Sequence, residues 1–415
     1  MKSRESMTTD PTGTTFISYK RSRSDEIDLL IETLNERGVP SWRDITNLEN
    51  RPTEPELREV LHRPDTACAV LWVTPDVADS PMILKVEIPE MKQRSDCDPS
   101  FFILPVAAGG LGYEDATNIA STHLDLDDLT TWNWEKVDRD PIEMEQAVQV
   151  ARRLLDTRLR VIDGSLTEDE PFELSIDTWG RPSASSTSCI RIDWSDHFDG
   201  RFADHQVWTD RLIPAARDIA QAVSAQNRGR PVVCQGQASI SAGLVLGAAF
   251  KEPTGIALGW VQNMPGDQGE QLWSLSAPRE ETPVKARFVE MDVGADALFV
   301  GVDFRGGPER AIKNMSQDGV LPKGRAGVII EGEGGDVDLT SPGQVVDAVA
   351  KTVAAIKEAK DRYRTRGPIH LFLAAPVGFA VLLGQKTNAL GPIQTYELDQ
   401  SNGDEVYRPA ALIVS

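Results

Sequence analysis

The chain has 415 residues, 40% hydrophobic and 26% charged, with 43 Lys and Arg against 64 Asp and Glu for a formal net charge of −21. That length exceeds one ordinary core and predicts two domains, while so acidic a surface repels duplex nucleic acid and anionic lipid at long range and argues against either as a partner. No apolar run is long enough to span a bilayer, the first residues lack the apolar stretch of a secretion signal, and Cys68, Cys97, Cys189 and Cys234 stand without metal-site or disulfide-framework spacing, so the sequence reads as a cytoplasmic protein with no metal and no membrane contact.

Residues 1–12 read as a flexible start, followed by a first domain over 13–160. "TTFISY" (14–19) predicts a strand, "SDEIDLLIETLNERG" (24–38) a helix capped by Ser24 and stopped by Gly38, "VPSW" (39–42) a strand and "EPELREVLHR" (54–63) a short helix. "TACAVLWVTP" (66–75) and "SFFILPVAA" (100–108) are continuous apolar strands, and "MEQAVQVARRLL" (144–155) is a closing helix. Such strands separated by helices predict a parallel sheet covered on both faces. "ISYKRSRSDE" after the first strand carries no dinucleotide-binding glycine fingerprint.

"SPMILKVEIPEM" (80–91) opens like a helix, with Ser80 as cap and Pro81 at the first helical position. Helical spacing puts Leu84, Ile88 and Met91 on one apolar stripe and Ile83, Glu87 and Glu90 beside it. Pro89 predicts a kink, after which Glu90 is expected to face outward.

Residues 161–170 predict a linker and 171–415 a second α/β domain. Predicted strands there are "FELSIDTW" (172–179), "CIRIDW" (189–194), "PVVCQG" (231–236), "GIALGWVQ" (255–262), "ALFVGVDFR" (297–305), "RAGVIIEG" (325–332), "IHLFLAA" (369–375) and "IQTYELD" (393–399). Helices are predicted around 203–227, over 240–250, in "GPERAIKNMSQDG", over 341–367 and in "PVGFAVLLGQKTNALG". "VVCQGQASISAGLVLGAAFKEPTGIALGW" and "LFLAAPVGFAVLLGQKTNALGPIQTYEL" each run strand, small-residue helix, strand after a long helix. That echo predicts two similar halves packed against each other.

The ordered set "FISY", "GVPSWRDITNL" and "AVLWVTPDVADSPMILKVEI" resembles the TIR domain family. The resemblance implies a flavodoxin-like fold with a parallel sheet and an activity that cleaves the nicotinamide–ribose bond of NAD, with Glu87 as the catalytic carboxylate. It implies a substrate-binding surround of Phe16, Ser18, Tyr19, Trp42, Arg43, Asp44, Ser80 and Met82, and no cofactor beyond NAD as substrate. Met82 departs from the tryptophan many members carry near this helix start. The chemistry agrees, because a leaving group that is already cationic needs no general acid and one carboxylate suffices for the oxocarbenium-like ribose.

The segments "IDWSDHFDGR" (192–201), "GQASISAGLVLGAAF" (236–250) and "IHLFLAAPVGFAVLLGQKTNALGPIQTYEL" (369–398) with "YRPA" (407–410) resemble the SAVED family. That resemblance implies two fused CARF-like Rossmannoid halves that sense a cyclic oligonucleotide, most often a trinucleotide such as cyclic triadenylate. Relatives often carry a histidine where "QASIS" stands. Helix starts at 240 and 376 offer N–H donors to phosphates, and aromatic or Arg side chains offer faces to bases. The expected contacts are Trp194, Arg201, Ser239, Ser241, Arg305, Pro376, Phe379, Lys386, Thr387 and Tyr407.

Together the two regions resemble a TIR-SAVED effector of cyclic-oligonucleotide-based anti-phage signalling. The resemblance implies ligand-driven head-to-tail filaments in which a neighbour's loop, here Asp44 to Asn50, completes the NAD-hydrolysing site. Two alternatives stay open: a non-catalytic TIR scaffold, and a cyclase that makes cyclic ADP-ribose.

Overall fold

The computed structural model describes residues 8–42, 53–124, 133–180, 188–227, 229–251, 255–266, 269–399 and 406–414. Arg43, Asp44 and the loop to Asn50 lie outside the described residues. The chain divides into two units, the first of Met1–Glu168 with Ala184–Ile192 and Ala225–Asn227, the second of the remainder.

The first unit alternates β1 (Thr14–Ser18), α1 (Ser24–Glu36), β2 (Ser41–Trp42), α2 (Thr53–His62), β3 (Thr66–Val73), α3 (Ile88–Cys97), β4 (Phe102–Ala107), α4 (Tyr113–His123), β5 (Glu135–Lys136) and α5 (Met144–Ser165). Its five strands are parallel in the order β2-β1-β3-β4-β5, the flavodoxin-like arrangement. Every residue of β3 is buried, as a central strand covered on both faces requires. Ser24 is the first helical residue of α1 rather than its cap, a position held by Arg23, and the helix ends at Glu36 before Gly38 turns with φ 74°. Strand order reverses between β1 and β3, so the carboxyl ends of these two strands open a crevice.

The segment before α3 is not a simple kinked helix. Ile83–Glu87 forms a π turn in which the Ile88 N–H donates to Ile83 O, five residues back. Pro89 has no N–H for the carbonyl of Lys85, and the wider turn absorbs that missing bond. The extra residue re-aims the face: Ile83, Val86, Glu87, Ile88, Glu90 and Met91 are buried while Leu84 is half-buried. Glu90 therefore faces inward, contrary to expectation, paired with Arg58 and 3.3 Å from His62 Nε2. The second unit repeats the device at Trp208–Leu212, where Ile213 donates to Trp208 O just before Pro214.

The first half of the second unit contains β6 (Phe172–Asp177), α6 (Ile213–Gln226), β8 (Val232–Gln237), α7 (Ile240–Ala249), β9 (Leu258–Asn263) and β10 (Glu270–Trp273). β6, β8 and β9 are parallel and β10 pairs antiparallel with β9. The strand between β6 and β8, β7 (Ile190–Asp193), was expected in the second domain, yet residues 190–192 group with the first unit. There the Arg191 N–H donates to Gly38 O at 2.9 Å and its guanidinium to Thr12 O at 2.7 Å.

The second half contains β11 (Val284–Glu290), β12 (Ala297–Asp303), α8 (Pro308–Gln317), β13 (Gly324–Gly332), α9 (Pro342–Tyr363), β14 (Ile369–Ala374), α10 (Val377–Gln385), β15 (Ile393–Asp399) and β16 (Val406–Ile413). Its six-stranded sheet runs β11-β13-β12-β14-β15-β16, with both edge strands antiparallel. The echoing helices α7 and α10 pack directly on each other and are buried nearly all round. Glycines set the spacing: a Cβ at Gly247 would lie 2.1 Å from Val381 O, and one at Gly384 2.3 Å from Leu244 O.

Candidate functional site

In the second unit the order reverses between β12 and β14, whose last residues, Asp303 and Ala374, are partners. Ligands of open α/β sheets bind outside the carboxyl ends of strands at such a reversal. A cavity of about 760 Å³ lies there, bordered by Arg305, Asp338, Thr340 and Pro376 from the second half and by Arg201, Gln262, Asn263 and Trp273 from the first. A second cavity of about 340 Å³ shares Arg201, Ile240, Gln262, Asn263 and Glu397 with it and adds Trp179, Gln237 and Ser239. Both volumes suit small-molecule sites, roughly 300–1,000 Å³.

The charges on this surface are mixed. Arg305 is exposed, with Asp338 3.5 Å away, and Arg201 lies 5.5 Å over the Trp179 ring. Glu397 is 6% exposed and accepts the Ser241 N–H at 2.5 Å. Burial pushes the Glu397 carboxyl up, against hydrogen bonds from Ser241 and Ser239 and the charge of Arg201. At the end of β12, burial raises the Asp303 carboxyl, opposed by a backbone N–H from Gly306 and reinforced by Glu309, Glu331 and Asp336.

The two helix starts differ. At α7, the Ser239 hydroxyl accepts the Ala242 N–H at 3.1 Å and Glu397 takes that of Ser241, so the predicted phosphate seat already holds the chain's own carboxylate. At α10, the Gly378 N–H donates to the neutral amide oxygen of Gln262 at 3.3 Å. A Cβ at Gly378 would meet the rings of Trp273 at 2.6 Å and Trp260 at 2.8 Å, so this close first turn requires glycine.

Of the residues expected to contact a cyclic oligonucleotide, the structure brings Arg201, Ser239, Arg305 and Pro376 to these cavities. It places the others elsewhere. Trp194 is fully buried, edge-on to Trp208 at 6.1 Å; Phe379 is edge-on to Phe304; and Tyr407 is edge-on to Phe372, all core contacts. Ser241 is 1% exposed, with its hydroxyl 2.9 Å from Thr395 Oγ1. Lys386 and Thr387 follow the C-terminus of α10, about 13 Å along the helix from its start. There Thr387 donates to Gly384 O at 2.7 Å, and Lys386 borders a separate cavity of about 860 Å³ with Val346 and Lys357. Sequence reasoning missed Trp179, Gln262, Asn263, Trp273, Thr340 and Glu397; only their positions signalled them, Trp179 just after β6, Gln262, Asn263 and Trp273 at the ends of β9 and β10, Glu397 near the end of β15 and Thr340 just before α9.

In the first unit Glu87 stands at the β1/β3 reversal. It is 8% exposed and accepts a hydrogen bond from Ser18 Oγ, at the end of β1, at 2.6 Å. Phe16 and Trp42 stack on one another at 5.2 Å, and Tyr19 is buried beyond Ser18. Ser80 Oγ accepts the Ile83 N–H at 3.5 Å, and Met82 packs at the margin of the core. Near the crevice, Lys20 bridges Asp76 at 2.9 Å and Asp79 at 3.3 Å. Burial opposes ionisation of Asp76, but hydrogen bonds from Lys20 and Thr74 outweigh it and hold its pKa at about 2.

Residues 215–413 match the family model described as SAVED, the SMODS-associated and fused to various effectors sensor domain. Among solved structures, the Acinetobacter baumannii Cap4 SAVED/CARF-domain containing receptor with the cyclic trinucleotide 2'3'3'-cAAA is 18% identical, covering 89% of this chain and 86% of that chain with a TM-score of 0.49. The same receptor with 3'3'3'-cAAA is 16% identical, covering 94% of this chain and 98% of that chain with a TM-score of 0.50. At that identity the likeness is one of fold. No curated protein matches the chain. The C-terminal part of this chain therefore carries a SAVED domain over residues 215–413.

Proposed function

We propose that the second unit senses a cyclic oligonucleotide, a trinucleotide such as cyclic triadenylate, in anti-phage defence, and that the first unit is a TIR domain that hydrolyses NAD in response. The observation that carries the sensor reading is the cavity at the β12/β14 reversal, bordered by Arg201 and Arg305 within the part of the chain that contains the SAVED match. Trp179 and Arg201 offer faces for bases, and Gln262, Asn263 and Thr340 offer edges to read them. The solved Cap4 receptors hold cyclic trinucleotides, which supports that ligand class here.

The NAD-cleaving reading rests on Glu87, a buried carboxylate at the crevice of a flavodoxin-like sheet, held by Ser18. In this reaction the ribose C1–nitrogen bond breaks and its electron pair leaves with neutral nicotinamide. Glu87 stabilises the oxocarbenium ribose, and water adds to C1 and loses a proton, giving ADP-ribose. The Ser18 hydroxyl keeps the carboxylate oriented toward the crevice. Head-to-tail self-association of ligand-bound chains brings neighbouring first units together, and because such a contact does not close on itself it builds filaments.

The test is cleavage of a fluorogenic NAD analogue by the purified protein, alone and with cyclic di-, tri- and tetra-adenylates, with Glu87→Gln alongside. The expected result is cleavage switched on by one ring, lost in Glu87→Gln, and unchanged ring binding by that variant. Full activity in Glu87→Gln removes the assigned role. Ligand-driven assembly without NAD loss makes the first unit a scaffold, and cyclic ADP-ribose on product chromatography makes it a cyclase.

A further inference from the structure

The carboxylate of Glu397 occupies the place where the sequence predicts a phosphate. Its Oε1 takes the Ser241 N–H at 2.5 Å, the Ser239 hydroxyl takes that of Ala242 at 3.1 Å, and Thr395 Oγ1 contacts the Ser241 hydroxyl at 2.9 Å. The Ser241 and Ala242 donors at the start of α7 are thus engaged within the chain. Glu397 still borders both cavities, although it is 6% exposed. A phosphate brought to this point would face the like charge of the Glu397 carboxylate. The start of α10 is different, because its Gly378 N–H rests on a neutral amide and Arg305 borders the same cavity.

Resting on the reading of the second unit as a cyclic-oligonucleotide sensor, we propose that Glu397 is a specificity-determining residue whose carboxylate, with about four acceptor positions, also accepts a hydrogen bond from the 6-amino group of an adenine in the ring. The bound ring is thereby oriented with a base at α7 and phosphates toward α10 and Arg305. A 6-oxo purine presents an acceptor at the same point, so two acceptors confront each other beside a carboxylate that is only 6% exposed. A site built around one hydrogen bond rejects a partner that cannot make it far better than apolar shape alone does.

The experiment is calorimetric binding of 3'3'3' cyclic triadenylate and the corresponding cyclic triinosinate to the full-length protein and to Glu397→Gln. The wild type is expected to prefer the adenine ring by at least about tenfold. Glutamine keeps an oxygen for the Ser241 N–H and turns an NH₂ donor toward the cavity, so the preference is expected to swing to the inosine ring. Equal wild-type affinity for the two rings, or an adenine preference undiminished in Glu397→Gln, overturns the assignment and leaves the sensor reading standing. Binding of neither ring by the wild type overturns both. The wild-type comparison is decisive even if the variant does not fold.

Discussion

His370, on β14, is 7% exposed, with Nδ1 2.8 Å from the Tyr396 hydroxyl, the Phe299 ring edge-on at 5.3 Å, and no partner for Nε2 among the described residues. Burial lowers its pKa below the ordinary 6.5. As pH falls the unfolded chain therefore takes up a proton before the folded one does, so the contribution of neutral His370 is complete above about 6.5 and is lost below it. The urea midpoint should drop between pH 7.5 and 5.5, and His370→Leu should shrink that drop; an equal drop in the variant would exonerate this residue. Nothing in "IHLFLA" announces a sealed imidazole, since the face a residue takes in a fully buried strand depends on its neighbours. The place of Glu87 at the edge of a buried face was legible because its helix start, proline and apolar stripe formed a local pattern. Lys386 and Thr387 misled for the opposite reason: they adjoin a motif in sequence but lie at the wrong end of its helix.

At the level of elements, the two π turns share one cause, a proline one residue beyond an isoleucine, and that pairing is visible in "VEIPE" and "RLIPA". Which way the extra residue turns the helix is not visible, because it depends on what the helix packs against; this is why Glu90 emerged buried. The internal echo anticipated α7 against α10. Their glycines are required by backbone-to-backbone approach, so Gly247→Ala should cost about 1–3 kcal/mol of overpacking and lower Tm by several degrees. An unchanged melting curve would show that the helices can separate without penalty. β10, β11 and β16 escaped the sequence reading because they are short, half-exposed or, in "VYRPAALI", interrupted by Pro409. Proline is tolerated there because β16 is an edge strand.

For the whole molecule, 64 acidic residues against 43 basic ones make like-charged copies repel unless salt screens them. If assembly accompanies activation, raising ionic strength from about 0.05 to 0.3 M should lower the protein concentration at which light scattering rises with ligand. A rise in that concentration would mean that assembly rests on ion pairs across the contact instead. The division into two α/β regions was legible from the polar run near residue 165; the return of residues 184–192 to the first unit was not, because single hydrogen bonds such as Arg191 to Thr12 O leave no periodic trace. The glycine seam between α7 and α10 also constrains how domains of this build can be recombined. Each helix is moulded to the other's carbonyls, so a chimera cut between the halves inherits two unmatched surfaces. A graft that carries both helices together moves the joint intact, and exchange of loops around the cavity then reshapes its lining without disturbing that joint.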